Sequence, residues 1–275
     1  MGTLFLVATP IGNLEDIFGR ALRTLREVEL IAAEDTRLTR KLLAHYDIHT
    51  PLVSYFEHNK LSRLEQILNH LSTGDVALVS DAGTPALNDP GYELVRAALQ
   101  AGHRVSPIPG PAAPIAALVS SGLPADAFLY LGYLPRKRSE RQAALKTVAE
   151  LPYTLVYLEA PHRLPEALDD MHVVLGDRQA ALARELTKVH EEIWRGTLSE
   201  ARKHFTEPRG EFVVIVHGKR TEQLGRWTPE YLRGVLGKRL AGGQTLTEVA
   251  AELSGESGWA RRDIYKLGTG TEMQR

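Results

Sequence analysis

The sequence of 275 residues contains no cysteine. That excludes a disulfide scaffold, thiolate catalysis and any Cys-bound zinc or iron–sulfur cluster. It also suits a reducing compartment. No apolar run approaches the roughly 20 residues that a membrane span requires. The opening MGTLFLVATPIG has no basic n-region and only a short apolar stretch, so it does not read as a signal peptide. Gly2 is followed at position 6 by Leu6, not by the Ser or Thr of a myristoylation signal. The protein is expected in the cytoplasm, without a membrane partner. A surplus of charge is missing as well: Lys+Arg number 33 and Asp+Glu 34, a formal net charge of −1. Any nucleic-acid face must then be a local basic patch. Familiar ligand motifs are also missing. No GxGxxG opens the first helix, there is no GxxxxGKS/T loop, and His190-Glu191-Glu192 does not complete HExxH. The 10 histidines are scattered, so no metal site is expected.

What is present is an ordinary globular composition, 43% hydrophobic and 24% charged. The length suggests two domains with a small appendage. Residues 4–8, 30–33, 52–55, 76–80 and 105–108 read as strands, and 4–8 is apolar on both faces as a buried parallel strand should be. Between them, Asn13 with Asp16 reads as the N-terminus of a first helix, and 36–46 and 61–71 read as helices. Asp89-Pro90 caps a helix through Gln100, and Pro111 starts another. This βαβ alternation predicts a mostly parallel sheet. A second α/β unit follows, with strands at 128–133, 154–158, 180–184 and 212–216 and helices at 139–150 and 162–174. Three short helices, 229–240, 245–253 and 259–267, come last. The expected division is 1–122, 123–220 and 221–275, with a loose tail from Gly268.

Ligands of open α/β sheets bind beyond the carboxyl ends of the strands. Four such ends carry unusual segments: Thr9-Pro10-Ile11-Gly12-Asn13, Glu34-Asp35-Thr36-Arg37, Asp81-Ala82-Gly83-Thr84-Pro85 and Pro109-Gly110-Pro111-Ala112-Ala113. Each alone is common turn chemistry. Four on one edge suggest a pocket whose small residues let a ligand approach the backbone. Glu34, Asp35, Arg37 and Asp81 are candidates for holding polar ligand groups, or for capping and mutual ion pairing. The second unit has two polar clusters, Glu159-Ala160-Pro161-His162-Arg163 and Arg184-Glu185-Leu186-Thr187-Lys188. The basic run 136–141 lies next to Tyr133-Leu134-Pro135, where it can follow phosphates or serve as a solvated face.

Six segments in order, LVATPIGNLEDI, AEDTR, LVSDAGTP, PIPGPAA, YLEAPHR and ARELTK, resemble the tetrapyrrole-methylase superfamily. More closely they resemble its ribosomal RNA branch, the bacterial small-subunit rRNA cytidine-2′-O-methyltransferases. The resemblance implies two α/β domains with S-adenosylmethionine held in the cleft between them, and a homodimer. It implies 2′-O-methylation of a decoding-centre cytidine in 16S rRNA of the small ribosomal subunit. Pro10, Asp81, Gly83, Thr84, Ala112 and Ala113 match segments that approach the cofactor, and Leu158 and Ala183 match contacts in the second domain. Two small departures are PGPAA in place of PGPSA, and AP in place of SP before His162.

Such a cofactor carries its own leaving group, so the chemistry requires neither a metal nor a covalent nucleophile. A ribose hydroxyl must be aligned, and a base can take its proton. Candidate bases or orienters are Glu185, Lys188 and Asp81, and Arg163 and Arg184 are candidates for holding phosphate. Arg136, Lys137, Arg138 and Arg141 form one candidate RNA-binding patch. Arg261, Arg262 and Lys266, on the last helix of a segment resembling a helix-turn-helix, form another. Two rivals remain open: a precorrin-type tetrapyrrole methylase with the same cofactor, and a non-catalytic rRNA-binding assembly factor.

Overall fold

The computed structural model describes residues 2–219 and 227–269. The chain divides into two compact units, Met1–Gly218 and Lys219–Arg275.

The first unit holds two five-stranded sheets. In the first sheet, β1 (Thr3–Val7), β2 (Leu30–Ala33), β3 (Leu52–Ser54), β4 (Val76–Val79) and β5 (Arg104–Ile108) run parallel in the order β3-β2-β4-β1-β5. Every residue of β2 and of β4 is buried, because helices cover both faces. On one face α1 (Gly19–Glu27) and α2 (Thr36–His45) meet Val7, Ile31 and Val79. On the other, α3 (Lys60–Thr73) and α4 (Tyr92–Gln100) meet Leu4, Leu30 and Leu78. Neighbouring β1 and β4 therefore send their chains to opposite faces, and the loops after them diverge to open a crevice.

Three expected helix starts are displaced. The helix expected from Pro111 begins at Ala113. Asn13 caps only a short 3-10 turn, Leu14–Asp16, and α1 begins later, at Gly19. The helix after Asp89-Pro90 begins at Tyr92, behind Gly91, whose φ of 156° follows the loop turn. Next comes α5 (Ala113–Ser121), which lies before the expected boundary at residue 122. Its Ala117 and Leu118 nevertheless pack into the second sheet, against Val156, Ala181, Val213 and Ile215.

The second sheet has the order β6-β7-β10-β8-β9, from β6 (Phe128–Tyr133), β7 (Thr154–Glu159), β8 (Gln179–Arg184), β9 (Glu192–Thr197) and β10 (Phe212–Val216). Only β6 and β7 pair parallel; the other pairs are antiparallel. One face carries α5, and the other carries α6 (Arg138–Val148), α7 (Leu164–Leu175) and α8 (Leu198–His204). The edge strand β9 and the helix α8, which a capping box of Thr197 and Glu200 starts, are additions to the sequence reading.

The second unit is a small helical body of α9 (Pro229–Ala241), α10 (Leu246–Glu256) and α11 (Arg261–Gly268) around Leu232, Val249, Leu253 and Ile264. Gly268 is the last residue of α11, and a Cβ there would lie 2.4 Å from Leu246 Cδ1, so the expected loose tail does not begin at it. The expected 220/221 boundary and the tail beyond Thr269 lie outside the described residues.

Candidate functional site

The crevice at the β1/β4 edge is closed at its base by backbone. Thr9 and Gly83 form an isolated antiparallel bridge, Thr9 N–H to Gly83 O at 2.9 Å and Gly83 N–H to Thr9 O at 3.0 Å. Gly83 has φ +79°, and a Cβ on it would stand 3.3 Å from Ile11 Cγ2. Glycine is thus set by both the turn and the space. The Thr84 hydroxyl donates to Pro111 O at 3.1 Å, which joins the loop after β4 to the loop after β5. Asp81 Oδ1 accepts from Asp35 N–H at 2.9 Å, and Asp81 N–H reaches Glu34 Oε2 at 3.4 Å. Four strand ends, those of β1, β2, β4 and β5, are therefore tied into one rim.

Across from this rim stands the second sheet, and the two enclose a cavity of about 260 Å³. Gly83, Thr84, Ala112 and Ala113 line it from the first sheet's loops, and Leu158, Ala183 and Val213 from the inner face of the second sheet. Two tight contacts hold the walls together. The Tyr130 hydroxyl donates to Asn88 Oδ1 at 2.6 Å. At the opposite end, a Cβ on Gly12 would lie 2.4 Å from Lys188 Cγ, so the first loop and the loop after β8 interlock there.

The cavity is acidic on one side. Burial pushes the Glu34 carboxyl up, and the Asp89 carboxylate adds to the shift. Burial likewise raises Asp89, to about 6, against the lowering effect of the Ser80 hydroxyl. Both carboxylates thus carry a desolvation cost that a cationic ligand would offset. At the other end, Lys188 Nζ bonds Glu185 Oε1 at 3.0 Å and Glu211 Oε2 at 3.1 Å. Burial acts to lower Lys188, but those two carboxylates outweigh it and hold the ammonium charged.

The structure gathers most of the sequence-derived candidates. Asp81, Gly83, Thr84, Ala112, Ala113, Leu158, Ala183 and Lys188 all line the cavity. Pro10 does not; it borders a neighbouring cleft with Leu38, Thr39 and Lys41, which meets the cavity at Asp81. Glu185 also stands behind the wall. Its carboxylate accepts from Glu211 N–H and from Lys188, and these bonds hold its pKa down, which suits a brace for Lys188 better than a base. Asp35 and Arg37 are a helix cap and its exposed ion pair, with the Arg37 bonds holding Asp35 at about 2.

Among the candidate RNA contacts, Arg136, Lys137 and Arg138 are exposed at the start of α6. Arg141 is not available to a phosphate: it is 2% exposed and pairs with Asp170 at 2.7 Å, because its position turns it inward onto α7. Arg163 is also mainly internal, donating to Leu134 O and pairing with Glu159 at 3.4 Å. Arg184 pairs with Glu192 at 3.2 Å on β9. Arg261 and Arg262 are exposed, and Lys266 half-buried, on α11, which follows α10 after a turn with Gly258 at φ +68°. Asn88, Asp89, Tyr130 and Glu211 are cavity residues that sequence reasoning did not select. The Asn-Asp-Pro step was legible only as a helix start, and nothing local marks Tyr130.

Comparison with known proteins agrees with this architecture. Residues 3–202 match the family model described as Tetrapyrrole (Corrin/Porphyrin) Methylases. The chain is 48% identical to a protein of Synechocystis sp. named Ribosomal RNA small subunit methyltransferase I, over 97% of each chain. A protein of the same name from Bacillus subtilis is 42% identical, over 96% of this chain and 93% of its own length. Another, from Thermotoga maritima, is 47% identical and is matched over 100% of its length by 80% of this chain. Among solved structures, a uroporphyrin-III C-methyl transferase from Thermus thermophilus complexed with S-adenyl homocysteine superposes with TM-score 0.55 at 22% identity, covering 78% of this chain and 97% of that one. A cobalt precorrin-4 methyltransferase superposes with TM-score 0.58 at 15% identity, covering 78% and 94%. At these identities the two structures share the fold.

Proposed function

The chain belongs to the tetrapyrrole methylase family, and from that premise we propose that it is an S-adenosylmethionine-dependent methyltransferase acting on small-subunit ribosomal RNA. Its acceptor is the ribose 2′-hydroxyl of a decoding-centre cytidine in 16S rRNA. The observation that carries this reading is near-full-length identity to proteins named for small-subunit rRNA methylation. The enzyme works in the cytoplasm as a homodimer, without a metal.

The cavity fits the cofactor on its own terms. Small residues, Ala82, Gly83, Ala112 and Ala113, leave backbone within reach of a ligand. Glu34 and Asp89 offer carboxylates to a cation from sites where burial makes their charge costly. When bound, S-adenosylmethionine supplies a methyl group on a sulfonium. The Thr9–Gly83 bridge and the Thr84–Pro111 bond hold the rim that receives it. Pre-formed backbone of this kind limits the ordering cost of binding.

The remaining work is to align a ribose hydroxyl and accept its proton. Of the three candidates, Lys188 is held as an ammonium and orients an acceptor oxygen; Glu185 keeps Lys188 in place. Asp81, which faces the cavity, is the candidate for the proton. Arg136, Lys137 and Arg138 bind RNA phosphates beside the cleft. Arg261, Arg262 and Lys266 give weaker support, since the Thermotoga maritima relative is matched by 80% of this chain, close to the share taken by Met1–Gly218.

The test is transfer of labelled methyl from S-adenosylmethionine to isolated small subunits, naked 16S rRNA and uroporphyrinogen. Nucleoside mass spectrometry should then find 2′-O-methylcytidine. Transfer to the tetrapyrrole and none to either RNA would overturn the proposal. Sedimentation of the purified protein checks the dimer.

A further inference from the structure

In a regular strand, side chains alternate faces, so residues three apart point to opposite sides. Tyr130 and Tyr133 on β6 are three apart, yet both line the cleft. The cause is a β-bulge. Tyr130 pairs with Val156 and Gly132 with Tyr157, so Leu131 is an extra residue and Tyr133 comes opposite Leu158, on the cleft side. Bulges commonly re-aim a side chain in this way. Gly132 permits it with φ +62°, and its missing Cβ would lie 2.5 Å from Asn88 Nδ2.

The two rings are used differently. Tyr130 is half-buried and committed to Asn88. Tyr133 is 52% exposed, and its hydroxyl has no hydrogen-bond partner among the described residues. The backbone just after it is anchored from below by two internal guanidinium groups, Arg163 to Leu134 O and Arg141 to Arg136 O. The exposed Arg136, Lys137 and Arg138 follow directly. A partly exposed aromatic ring lining a cleft, on an anchored backbone and beside a cationic edge, is the arrangement that binds an unstacked base and its phosphates.

We propose that Tyr133 is the stacking platform for the base of the nucleotide being methylated. This deepens the RNA reading above and rests on it. Stacking on an aromatic ring tolerates any base, so Tyr133 holds the nucleotide in place, and the choice of site comes from the surrounding RNA shape.

The test compares Tyr133→Leu, Tyr133→Phe and Tyr133→Trp in methylation of isolated small subunits, with calorimetry for S-adenosylmethionine and thermal melts as controls. Loss of the ring in Tyr133→Leu should raise the KM for subunits by about 5- to 100-fold, with kcat much less affected and cofactor affinity unmoved. Tyr133→Phe should recover most of that loss, and Tyr133→Trp should bind subunits at least as well as Tyr133→Phe. Wild-type KM in Tyr133→Leu, or a Tyr133→Trp KM as high as that of the leucine variant, would overturn the proposal. So would a loss confined to cofactor affinity, which would give the ring to the cofactor instead. If wild-type protein methylates no RNA, the functional reading itself fails, and the stacking role falls with it.

Discussion

The two sheets that face each other across the cleft supply different materials. The first is parallel, buried on both faces, and presents loop backbone, small residues and carboxylates. The second is mostly antiparallel and presents side chains: two tyrosines and an ammonium at the cavity, with a basic run after β6. A parallel sheet can offer its ligand only what emerges at the carboxyl ends of its strands, since helices cover its faces. The second sheet meets the cavity with residues of the strands themselves, Leu158, Ala183 and Val213, and with the bulged edge strand β6. On the function proposed above, the rim would hold the cofactor and the basic edge of the wall the acceptor.

The largest effect should come from behind the second sheet. Arg141→Ala leaves Asp170 buried, with Gln142 and the exposed Arg138 as its remaining partners. The expected cost is about 3–5 kcal/mol of stability, read in a denaturant melt. A loss below about 1 kcal/mol would mean that this pair is not what holds α6 to α7, and Arg141 would return to the list of possible RNA contacts.

Gly83→Ala probes the first sheet. Placing an L-residue at φ +79° costs roughly 1–2 kcal/mol, and its Cβ crowds Ile11. S-adenosylmethionine affinity should fall by about tenfold, whereas KM for subunits at saturating cofactor should hold. An equal loss for both ligands would break the proposed division.

Replacing Arg136, Lys137 and Arg138 together by Gln tests the opposite wall. RNA binding should weaken by about tenfold and its salt dependence should flatten, with cofactor binding unchanged. The corresponding change of Arg261, Arg262 and Lys266 should do less. If the helical set proves the stronger, the main RNA contact belongs to the second unit.

The smallest effect expected is on pH. Asp89 sits at about 6 in the folded protein, above its ordinary 3.8. Its charge therefore costs stability above pH 6, and that cost is relieved as the pH falls through 6 toward 4. Asp89→Asn should be more stable than wild type at pH 8 and lose the advantage near pH 4. Conversely, a cation beside Asp89 and Glu34 favours the ionised forms, so cofactor affinity should weaken a few-fold from pH 7 to pH 5. Titration calorimetry in two buffers should register proton release on binding near pH 6. Affinity independent of pH would separate these carboxylates from the cofactor.

Most strands were legible because burial on both faces leaves short, wholly apolar runs such as Leu30-Ile31-Ala32-Ala33 and Val76-Ala77-Leu78-Val79. The edge strand β9 was not, because Glu-Ile-Trp-Arg-Gly-Thr is half-exposed throughout and has no alternation to detect. Asn13 is a cap, as its sequence context indicates, but of a 3-10 turn, since capping chemistry does not specify how long the turn that follows will be. The candidate cavity was legible where glycines and small residues mark strand ends. It was not legible at Asn88 or Tyr130, whose role depends on the other sheet coming within 2.6 Å.

What the amino-acid order determined alone is whatever depends on near neighbours: the buried strands, the capped helices, and the Gly83 turn. It also determined which chemistry was unavailable, since a chain without cysteine has no thiolate. Tertiary structure decided which charges are free. Arg136 and Arg141 stand in one basic run, yet one faces solvent and the other Asp170, 29 residues further on. It also decided that Tyr133 faces the cleft, through a bulge whose register is set by pairing with β7. Both outcomes rest on contacts between segments distant in sequence, and desolvation and strand register exist only once those segments meet.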